Sequence, residues 1–314
     1  MKIVDFVGCN KDYFEIAKQC QFKIFFKKML KKIIAFQGAH GANSSLACKS
    51  FYPEFEAKDF PTFFDVFEAV ENGEAEYGMI PLENSYAGRV SEIHNLLQEK
   101  NVSIVAEHFF AISHNLAALD GADLSDISEV LSHPQALMQC QNNLRALNVK
   151  IHEFSNTAKA AKFVGESGDK TKAAICSKMA ADLYGLKIIK ENMQDSGNDN
   201  ITIFIAIAKN QIARNEVDVD YKIAPTITAL LFTIRNIPGS LYKSLGGFAT
   251  NGVSIIKLES YIPGGVSNQA KFFISIEGHP AQKNVALALE ELGFFSKSVK
   301  LLGVYYADKS RKEK

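Results

Sequence analysis

The sequence is poor in features that would assign it to several large classes of protein. Its five cysteines are scattered and form no CxxC pair: Cys9, Cys20, Cys48, Cys140 and Cys176. A disulfide framework or a zinc site needs tighter clustering, so the cysteines are interpreted as reduced thiols of a cytoplasmic protein. Lysine plus arginine and aspartate plus glutamate both total 35, which leaves no net charge. This balance argues against nucleic acid or an anionic membrane as a partner.

Long apolar runs are also missing. No run approaches the roughly 18 residues that a membrane-spanning helix needs, so no membrane is expected as a partner. The first 30 residues mix acidic and basic residues among apolar ones and lack the continuous apolar core of a signal peptide. A clean strand-and-turn pattern, KKIIAFQG, begins at Lys31, shortly after Met29. Residues 1–30 are therefore interpreted as an N-terminal extension or a start-site artefact.

Short apolar runs alternate with amphipathic segments from residue 31 to residue 208. The runs are predicted to be strands: IIAF (33–36), YGMIPLE (77–83), VSIVAEHFFAI (102–112), ISEVLSH (127–133), VKIHEF (149–154), KAAICS (172–177) and NITIFIAIA (200–208). The segments between them have apolar residues at helical spacing, and one of these predicted helices covers residues 134–147. The alternation predicts an open α/β sheet covered by helices, with ligands bound at the carboxyl ends of strands.

A second, smaller domain is predicted after a polar linker. Residues 209–226 are aperiodic and carry a proline near their end, which is typical of a linker. Residues 227–306 then follow the order strand, helix, strand, strand, helix, strand. This βαββαβ order predicts a ferredoxin-like domain. Residues 307–314 form a basic tail that is expected to be frayed.

Four predicted strand-to-helix junctions carry glycine or small polar residues. They contain Gly38, Gly41, Ser44 and Ser45; Asn84, Ser85 and Gly88; Ser132, His133 and Pro134; and Ser155, Asn156 and Thr157. Ser44 or Ser45 is a candidate to cap the helix that follows the first junction. Helix N-termini expose unpaired N–H groups that favour anions. Four such junctions together favour a small anionic ligand, a dicarboxylate rather than a nucleotide.

Among the histidines, His133 has the strongest case for a role in binding, because it lies beside a predicted helix N-terminus. A capping or packing role is the alternative, and His94 is interpreted as a surface or interface residue. No HExxH motif or pair of carboxylates points to a metal, and no nucleophile elbow accompanies Ser44. No metal site is predicted.

Five ordered motifs resemble those of prephenate dehydratases, the enzymes of phenylalanine synthesis. They are AFQGAHGANS, MIPLENSYAGRV, LSHPQALMQC, NTAKAA and NITIF. The segment IPGSLYKSLGGFATNGVSIIKLES resembles the phenylalanine-sensing ACT domain that often follows them. The resemblance covers nearly the whole chain. It implies a two-lobed, periplasmic-binding-protein-like catalytic domain over residues 31–208 and an ACT regulatory domain over residues 227–306.

The resemblance also implies a reaction and a set of residues. The family removes water and carbon dioxide from prephenate to give phenylpyruvate, and it uses no cofactor because aromatisation of the ring drives the reaction. The essential threonine of the family falls on Thr202, which is expected to help the ring hydroxyl leave. The residues assigned to substrate binding are Ser44, Asn84, Ser85, His133, Gln135, Asn156, Thr157 and Asn200.

Two departures from the family motifs remove opposite charges. The family's Thr-Arg-Phe is replaced by a motif with Ile203, and its Asp-Thr-Ala by one with Asn156. Adjacent side chains on a strand face opposite sides, so residue 203 is expected to point away from Thr202. One hypothesis is that the family arginine forms a structural ion pair, whose loss can be neutral. The other is that it holds substrate; a large gain in turnover for Ile203→Arg would favour this second hypothesis.

The ACT-like segment implies a regulatory site. By resemblance, a phenylalanine pocket between two subunits of a homodimer or homotetramer is lined by Gly239, Ser240, Leu241, Ser254, Glu259 and Ser260. Tyr261 and Ile262 replace a frequent Arg-Pro pair, so an ACT domain kept only for dimerisation is an alternative.

The leading hypothesis is therefore a cytoplasmic prephenate dehydratase that phenylalanine inhibits. A variant of the same reaction would use arogenate, which has an amino group in place of the keto oxygen. The alternative of a different class is a non-catalytic sensor of an anion or amino acid, which the two missing charges favour and the retained Thr202 disfavours.

Overall fold

The computed structural model describes residues 32–195, 199–210, 219–235, 237–261 and 270–313. The proposed N-terminal extension and much of the predicted linker lie outside these ranges. The described chain forms three sheets, one for each of two lobes and one for a C-terminal domain. None of its described helices combines the length and the apolar character that a membrane crossing requires.

The first lobe combines the N-terminal part of the chain with one strand that returns much later. Its strands are β1 (Ile33–Gln37), β2 (Glu56–Phe60), β3 (Tyr77–Asn84), β4 (Gly88–Arg89), β5 (Val102–Ala111) and β11 (Ile201–Lys209). Its helices are α1 (Asn43–Phe51), α2 (Phe63–Asn72) and α3 (Ser91–Glu99). The sheet order is β2-β1-β3-β11-β5, and β4 pairs with β3. Because β11 lies between β3 and β5, the returning strand joins the centre of the lobe.

The second lobe lies between β5 and β11 in sequence. Its strands are β6 (Asn115–Ala118), β7 (Glu129–Ser132), β8 (Lys150–Glu153), β9 (Lys172–Cys176) and β10 (Lys187–Lys190). Its helices are α4 (Pro134–Gln139), α5 (Gln141–Leu147), α6 (Thr157–Ser167) and α7 (Lys178–Leu183). The sheet order is β10-β6-β9-β7-β8. The chain therefore crosses between the lobes twice, which is the two-lobed arrangement of periplasmic binding proteins.

The C-terminal domain has the predicted ferredoxin-like order. Its elements are β12 (Thr226–Ile234), α8 (Ser240–Thr250), β13 (Ile255–Tyr261), β14 (Lys271–Glu277), α9 (Lys283–Phe295) and β15 (Ser296–Tyr306). The sheet order is β13-β14-β12-β15, with all pairs antiparallel. The helices cover one face of this sheet, where Phe232 and Ile274 pack with Phe248 and Leu292.

The other face of the C-terminal sheet packs on the first lobe. Leu231 and Phe273 share one core with Ile205 and Ile207 of β11. At Gly303, β15 approaches β5 so closely that a side chain would collide with the carbonyl oxygen of Ile104. The tail was expected to be frayed, but at Asp308 and Arg311 it is held on the first lobe, since the Asp308 N–H and the Arg311 guanidinium both donate to the buried Glu107 carboxylate.

The seven strands predicted for residues 31–208 are all present, but the prediction of one sheet covered by helices was incomplete because the strands form two sheets. It also missed β2, β4, β6 and β10, which have two to five residues each. Such short strands give little periodicity to detect, and β2 and β10 lie at sheet edges.

The helix predicted over residues 134–147 is interrupted at Cys140, whose backbone is not helical (φ −112°, ψ 17°). The carboxylate of Asp195 accepts hydrogen bonds from the backbone N–H groups of Asn142 at 2.9 Å and Asn143 at 3.3 Å. The carboxylate thereby caps a new helix, α5, and this partner lies some fifty residues away in sequence.

Candidate active site

A cleft of about 570 Å³ lies between the two lobes. All four polar junctions predicted from the sequence contribute to its wall, through residues such as Gly38, Ser44, Asn84, His133 and Thr157. The junctions are far apart in sequence, and the crossing of the chain between the lobes brings them together. The four junctions therefore line one cleft. The second differs from its prediction as a strand-to-helix junction, because residues 84–88 join β3 to β4, with Asn84 paired to Gly88.

Thr202 lies in the wall of this cleft and is 8% exposed. It pairs with Asn84 across the β11–β3 ladder, so the two side chains share the face that lines the cleft. The amide nitrogen of Asn84 donates to the Thr202 hydroxyl oxygen at 2.9 Å. Since the nitrogen is a donor only, the Thr202 oxygen must accept in this contact. Its own hydrogen has no protein acceptor within the described ranges and is available to a ligand.

The orientation of the Asn84 amide is itself fixed. Its oxygen accepts hydrogen bonds from the backbone N–H groups of Tyr86 at 3.0 Å and Ala87 at 2.9 Å. Its nitrogen also donates to the side-chain oxygen of Asn200 at 2.8 Å. If the amide were flipped, its NH₂ group would face the N–H groups of Tyr86 and Ala87, donor against donor. This network therefore determines which end of Asn84 faces Thr202.

Gln139 and His114 extend this network into the second lobe. The Gln139 side-chain oxygen accepts from the Asn200 amide nitrogen at 2.8 Å and lies 2.8 Å from Nε2 of His114. Because the oxygen accepts, His114 carries its hydrogen on Nε2. The Gln139 amide nitrogen donates to the Asn84 oxygen at 3.4 Å. Gln139 therefore joins the two lobes at the cleft.

Neither His114 nor Gln139 was singled out from the sequence. Gln139 stands four residues after Gln135 on α4, so helical spacing places both on one face, which was a usable indication. His114 follows β5 without any local pattern, and only the fold brings it to the cleft.

Ser85 and Asn200 do not line the cleft but brace its wall. The Ser85 hydroxyl donates to the carbonyl oxygen of Asp199 at 2.9 Å and accepts from the N–H of Ile201 at 3.0 Å. Asn200 is 1% exposed and bonds to Asn84 and Gln139. Both residues hold the start of β11 against the end of β3.

The first junction differs from its prediction. Helix α1 begins at Asn43, and its N-cap is Ala42, which provides no side-chain hydrogen bond. Ser44 and Ser45 lie inside the helix and are buried, so the expectation that one of them caps it was wrong. The first N–H groups of α1 consequently face the cleft without a side-chain cap.

The second lobe contributes two capped helix ends. His133 caps α4, since its Nδ1 accepts from the N–H of Gln135 at 3.2 Å, and Pro134 takes the first helical position as predicted. Asn156 caps α6 by accepting from the N–H of Lys159 at 2.7 Å. Thr157 and Gln135 complete this side of the wall.

Burial affects both histidines of the cleft. Desolvation lowers the pKa of His114, although its hydrogen bond with Gln139 acts in the opposite direction. Desolvation also lowers the pKa of His133, against the attraction of Glu153. Both imidazoles are therefore neutral near pH 7, which agrees with the hydrogen-bond roles assigned above.

The rim of the cleft is the charged part of its lining. Among the described lining residues, Glu83, Arg89 and Glu92 carry the side-chain charges that are fixed at neutral pH. Ile203 does not line the cleft, because it alternates with Thr202 and Phe204, which do. It lies directly across the ladder from Glu83, on the face that packs towards the C-terminal domain.

The residues that were predicted to bind the ligand phenylalanine are spread over the C-terminal domain. Gly239, Ser240 and Leu241 follow β12, at the same end of the sheet as Ser260. Ser254 precedes β13, so it lies at the other end, roughly 20 Å away for a seven-residue strand. Glu259 faces the first lobe, with its carboxylate 3.0 Å from Nε2 of His94.

The described residues contain no group of three or more His, Cys, Asp or Glu side chains arranged to hold a metal ion. Cys48, Cys140 and Cys176 are buried free thiols, and desolvation raises the pKa of each to about 12. These thiols are protonated at neutral pH and are not nucleophiles.

Comparison with known proteins identifies the family. The model of the prephenate dehydratase family matches residues 34–212. The chain belongs to the prephenate dehydratase family. The matched range includes both lobes and every residue of the cleft described above.

Three proteins are similar to this member of the prephenate dehydratase family over most of its length. The bifunctional N-acyl-homoserine lactone acylase/prephenate dehydratase of Komagataeibacter europaeus is 39% identical over 284 residues, which cover 90% of this chain and 99% of the relative. Arogenate dehydratase 2 of Petunia hybrida is 33% identical over 289 residues, and the match covers 88% of this chain and 72% of the relative. The structure of a prephenate dehydratase in complex with L-Phe from Arthrobacter aurescens is 27% identical, with a TM-score of 0.78, and covers 88% and 90% of the two chains.

Proposed function

We propose that the protein is a prephenate dehydratase in which Thr202 assists the departure of the ring hydroxyl. The observation that carries this proposal is the hydrogen-bond donation from Asn84 to Thr202, which leaves the threonine hydrogen free for a ligand. A hydroxyl that is fixed in the cleft wall and largely shielded from solvent can stabilise an oxygen that gains negative charge in the transition state.

In the proposed reaction two bonds of prephenate break. The bond from the ring to its carboxylate breaks, carbon dioxide leaves, and the electron pair enters the ring. The ring carbon–oxygen bond then breaks and the ring becomes aromatic. The departing hydroxide receives a hydrogen bond from Thr202 and one proton from the medium, so the products are phenylpyruvate, carbon dioxide and water.

Two groups of the cleft suit the carboxylates of such a substrate. The uncapped N-terminus of α1 presents backbone N–H groups at the positive end of a nine-residue helix. Arg89 places a cation on the rim. We assign Ser44, Gln135 and Thr157 to contacts with the substrate, and we assign Asn84, Asn200, Gln139 and His114 to the orientation of Thr202.

Acyl transfer is a second activity to consider, because the Komagataeibacter relative bears the name of an acylase. Such chemistry commonly uses a hydroxyl or thiol nucleophile bonded to a basic histidine. Within the described cleft His114 bonds to an amide and His133 to a backbone N–H, and neither bonds to Ser, Thr or Cys. The dehydratase reaction is therefore the proposal for this chain.

The test uses purified protein and prephenate, with phenylpyruvate followed by its absorbance in alkali. Turnover that falls by about 10²–10³-fold in Thr202→Ala supports the proposal, and no product at any concentration of the wild-type protein contradicts it. Parallel reactions with arogenate and with an N-acyl-homoserine lactone decide among the three substrates.

The proposal extends to regulation by phenylalanine through an ACT domain. Its support is the βαββαβ topology and the juxtaposition of the Gly239–Leu241 segment with the end of β13. A second subunit would complete such a pocket, as a homodimer or homotetramer. Inhibition of the same assay by phenylalanine, lost in Gly239→Val, supports this extension, and indifference to phenylalanine contradicts it.

A further inference from the structure

The rim of the cleft is in contact with the C-terminal domain. The Lys257 ammonium of β13 forms an ion pair with the carboxylate of Glu83. The Arg89 guanidinium donates to the carbonyl oxygen of Ser260 at 2.7 Å. One strand of the C-terminal domain therefore contacts two of the three charged residues that line the cleft.

The Glu83 carboxylate depends on this contact for the neutralisation of its negative charge. Its cross-strand neighbours are Ile203 on β11, which has no charge, and Arg89 on β4, whose side chain is turned to Ser260. Within the described chain, Lys257 is the cation at ion-pair distance from the Glu83 carboxylate. The Glu83 side chain is about one-third exposed and the Lys257 side chain 16%, so water screens the pair only in part.

The charge balance of the rim matters for an anionic ligand. Without Lys257, the lining would present two carboxylates, Glu83 and Glu92, against the single guanidinium of Arg89. An uncompensated carboxylate near the path of a dicarboxylate opposes binding, and the opposition weakens as salt is added.

We propose that Lys257 of the C-terminal domain is a positioning residue of the active site, which neutralises Glu83 and so makes the cleft rim receptive to an anionic substrate. This inference rests on the proposed function. It assigns to the C-terminal domain a role in substrate binding that operates without any effector. It also explains how the chain accommodates Ile203: the cation beside Glu83 comes from another domain instead of the neighbouring strand.

The test is steady-state kinetics of the full-length chain with prephenate at low salt (about 20 mM) and high salt (about 500 mM). Lys257→Met is expected to raise KM roughly threefold to tenfold at low salt, with kcat almost unchanged, and the difference should narrow at high salt. Lys257→Arg should restore the wild-type KM. The matched control is Lys271→Met, which removes another lysine of the same domain interface, one that donates to the neutral Gln98 at 2.8 Å.

Two double variants distinguish an effect of charge on KM from an effect of impaired folding. Lys257 also lies 3.1 Å from the Glu259 carboxylate, which keeps its contact with His94 when the lysine is removed. Glu83→Gln/Lys257→Met removes the rim carboxylate together with its lysine, and it should return KM to the wild-type value even if Lys257→Met alone is too unstable to assay. Ile203→Arg/Lys257→Met supplies a cation from the neighbouring strand and should also lower KM relative to Lys257→Met.

The outcomes distinguish the inference from the proposed function. Wild-type protein that turns over prephenate, together with a Lys257→Met variant that behaves like Lys271→Met, contradicts the inference alone. A raised KM that persists in Glu83→Gln/Lys257→Met at all salt concentrations also contradicts it. Wild-type protein without turnover contradicts the proposed function, and the inference falls with it.

Discussion

The two lobes that enclose the cleft use their polar side chains in different ways. In the first lobe, Asn84 and Thr202 bond to each other from adjacent strands, and neighbouring amides fix their orientation. In the second lobe, His133 and Asn156 bond to the backbone of the helices that they begin. The difference suggests a division of tasks: the first lobe supplies the hydroxyl for chemistry, and the second lobe provides capped helix ends and, through Gln139, one support for the network around that hydroxyl.

The largest effect that this comparison predicts concerns Thr202. Thr202→Ala should lower kcat by about 10²–10³-fold, because it removes the donor to the departing oxygen. KM should change little. Thr202→Ser, which keeps the hydroxyl, should lie within about tenfold of the wild type. Prephenate kinetics measure both, and equal losses in the two variants would show that packing and not the hydroxyl is responsible.

A smaller loss is expected when the direction of the Asn84 contact is reversed. Asn84→Asp keeps the shape of the side chain but replaces the donor by a carboxylate, so the Thr202 hydrogen would turn towards residue 84. The expected loss in kcat is about tenfold to a hundredfold. Wild-type kcat in this variant, checked at neutral pH where the new carboxylate is ionised, would contradict the assigned orientation.

Acid sensitivity should also differ between the lobes. Where the first lobe meets the C-terminal domain, burial acts to raise the pKa of Glu259 on β13, but the contact with His94 and the attraction of Lys257 outweigh it and lower the pKa to about 2. The stabilisation is therefore complete above the ordinary pKa and is lost as pH falls towards 2. In urea unfolding, the advantage of wild type over Glu259→Gln should shrink between about pH 5 and pH 2.

Asp169 of the second lobe is the matched control for Glu259. Its pKa is also lowered to about 2, through hydrogen bonds from Lys172 and Thr171, but it lies at the surface. Solvent screens such a pair, so Asp169→Asn should change stability less than Glu259→Gln does at pH 6. A larger effect at Asp169 would contradict the assignment of acid sensitivity to the interface between the first lobe and the C-terminal domain.

The smallest effect on catalysis is expected in the second lobe. Asn156→Ala removes the cap of α6 and should lower the free energy of unfolding by about 1 kcal/mol. Turnover should stay within about threefold, since the side chain bonds to its own helix and not to Thr202. Asn156→Ser restores a capping oxygen and should recover stability. A loss of turnover as large as that of Thr202→Ala would end the proposed division of tasks.

The sequence predicted the parts of this protein that local patterns control. The apolar run of β11 and the polar junctions at Asn84, His133 and Asn156 were all recognised, because periodicity and capping chemistry act over a few residues. Their convergence on one cleft followed from the general rule that ligands bind at the carboxyl ends of strands.

The parts that were missed depend on distant partners. The break at Cys140 depends on Asp195, and the placement of His114 depends on where the chain crosses between lobes. The cap expected from Ser44 or Ser45 failed because the turn at Gly41, with φ of +91°, lets the helix begin earlier than its serines. The positions of Asp195 and His114 are therefore absent from any local pattern, whereas the helix start at Asn43 depends on a turn only two residues before it.

The absence of a side chain at residue 303 sets a rule for exchanging domains among relatives. Any larger residue there would meet the carbonyl oxygen of Ile104, so a foreign C-terminal domain can seat on this first lobe only if it carries glycine at the matching position. A chimera without that glycine would be held away from β5 and from Glu83. It would fold as two modules on one chain, with a cleft that had lost the lysine beside its rim.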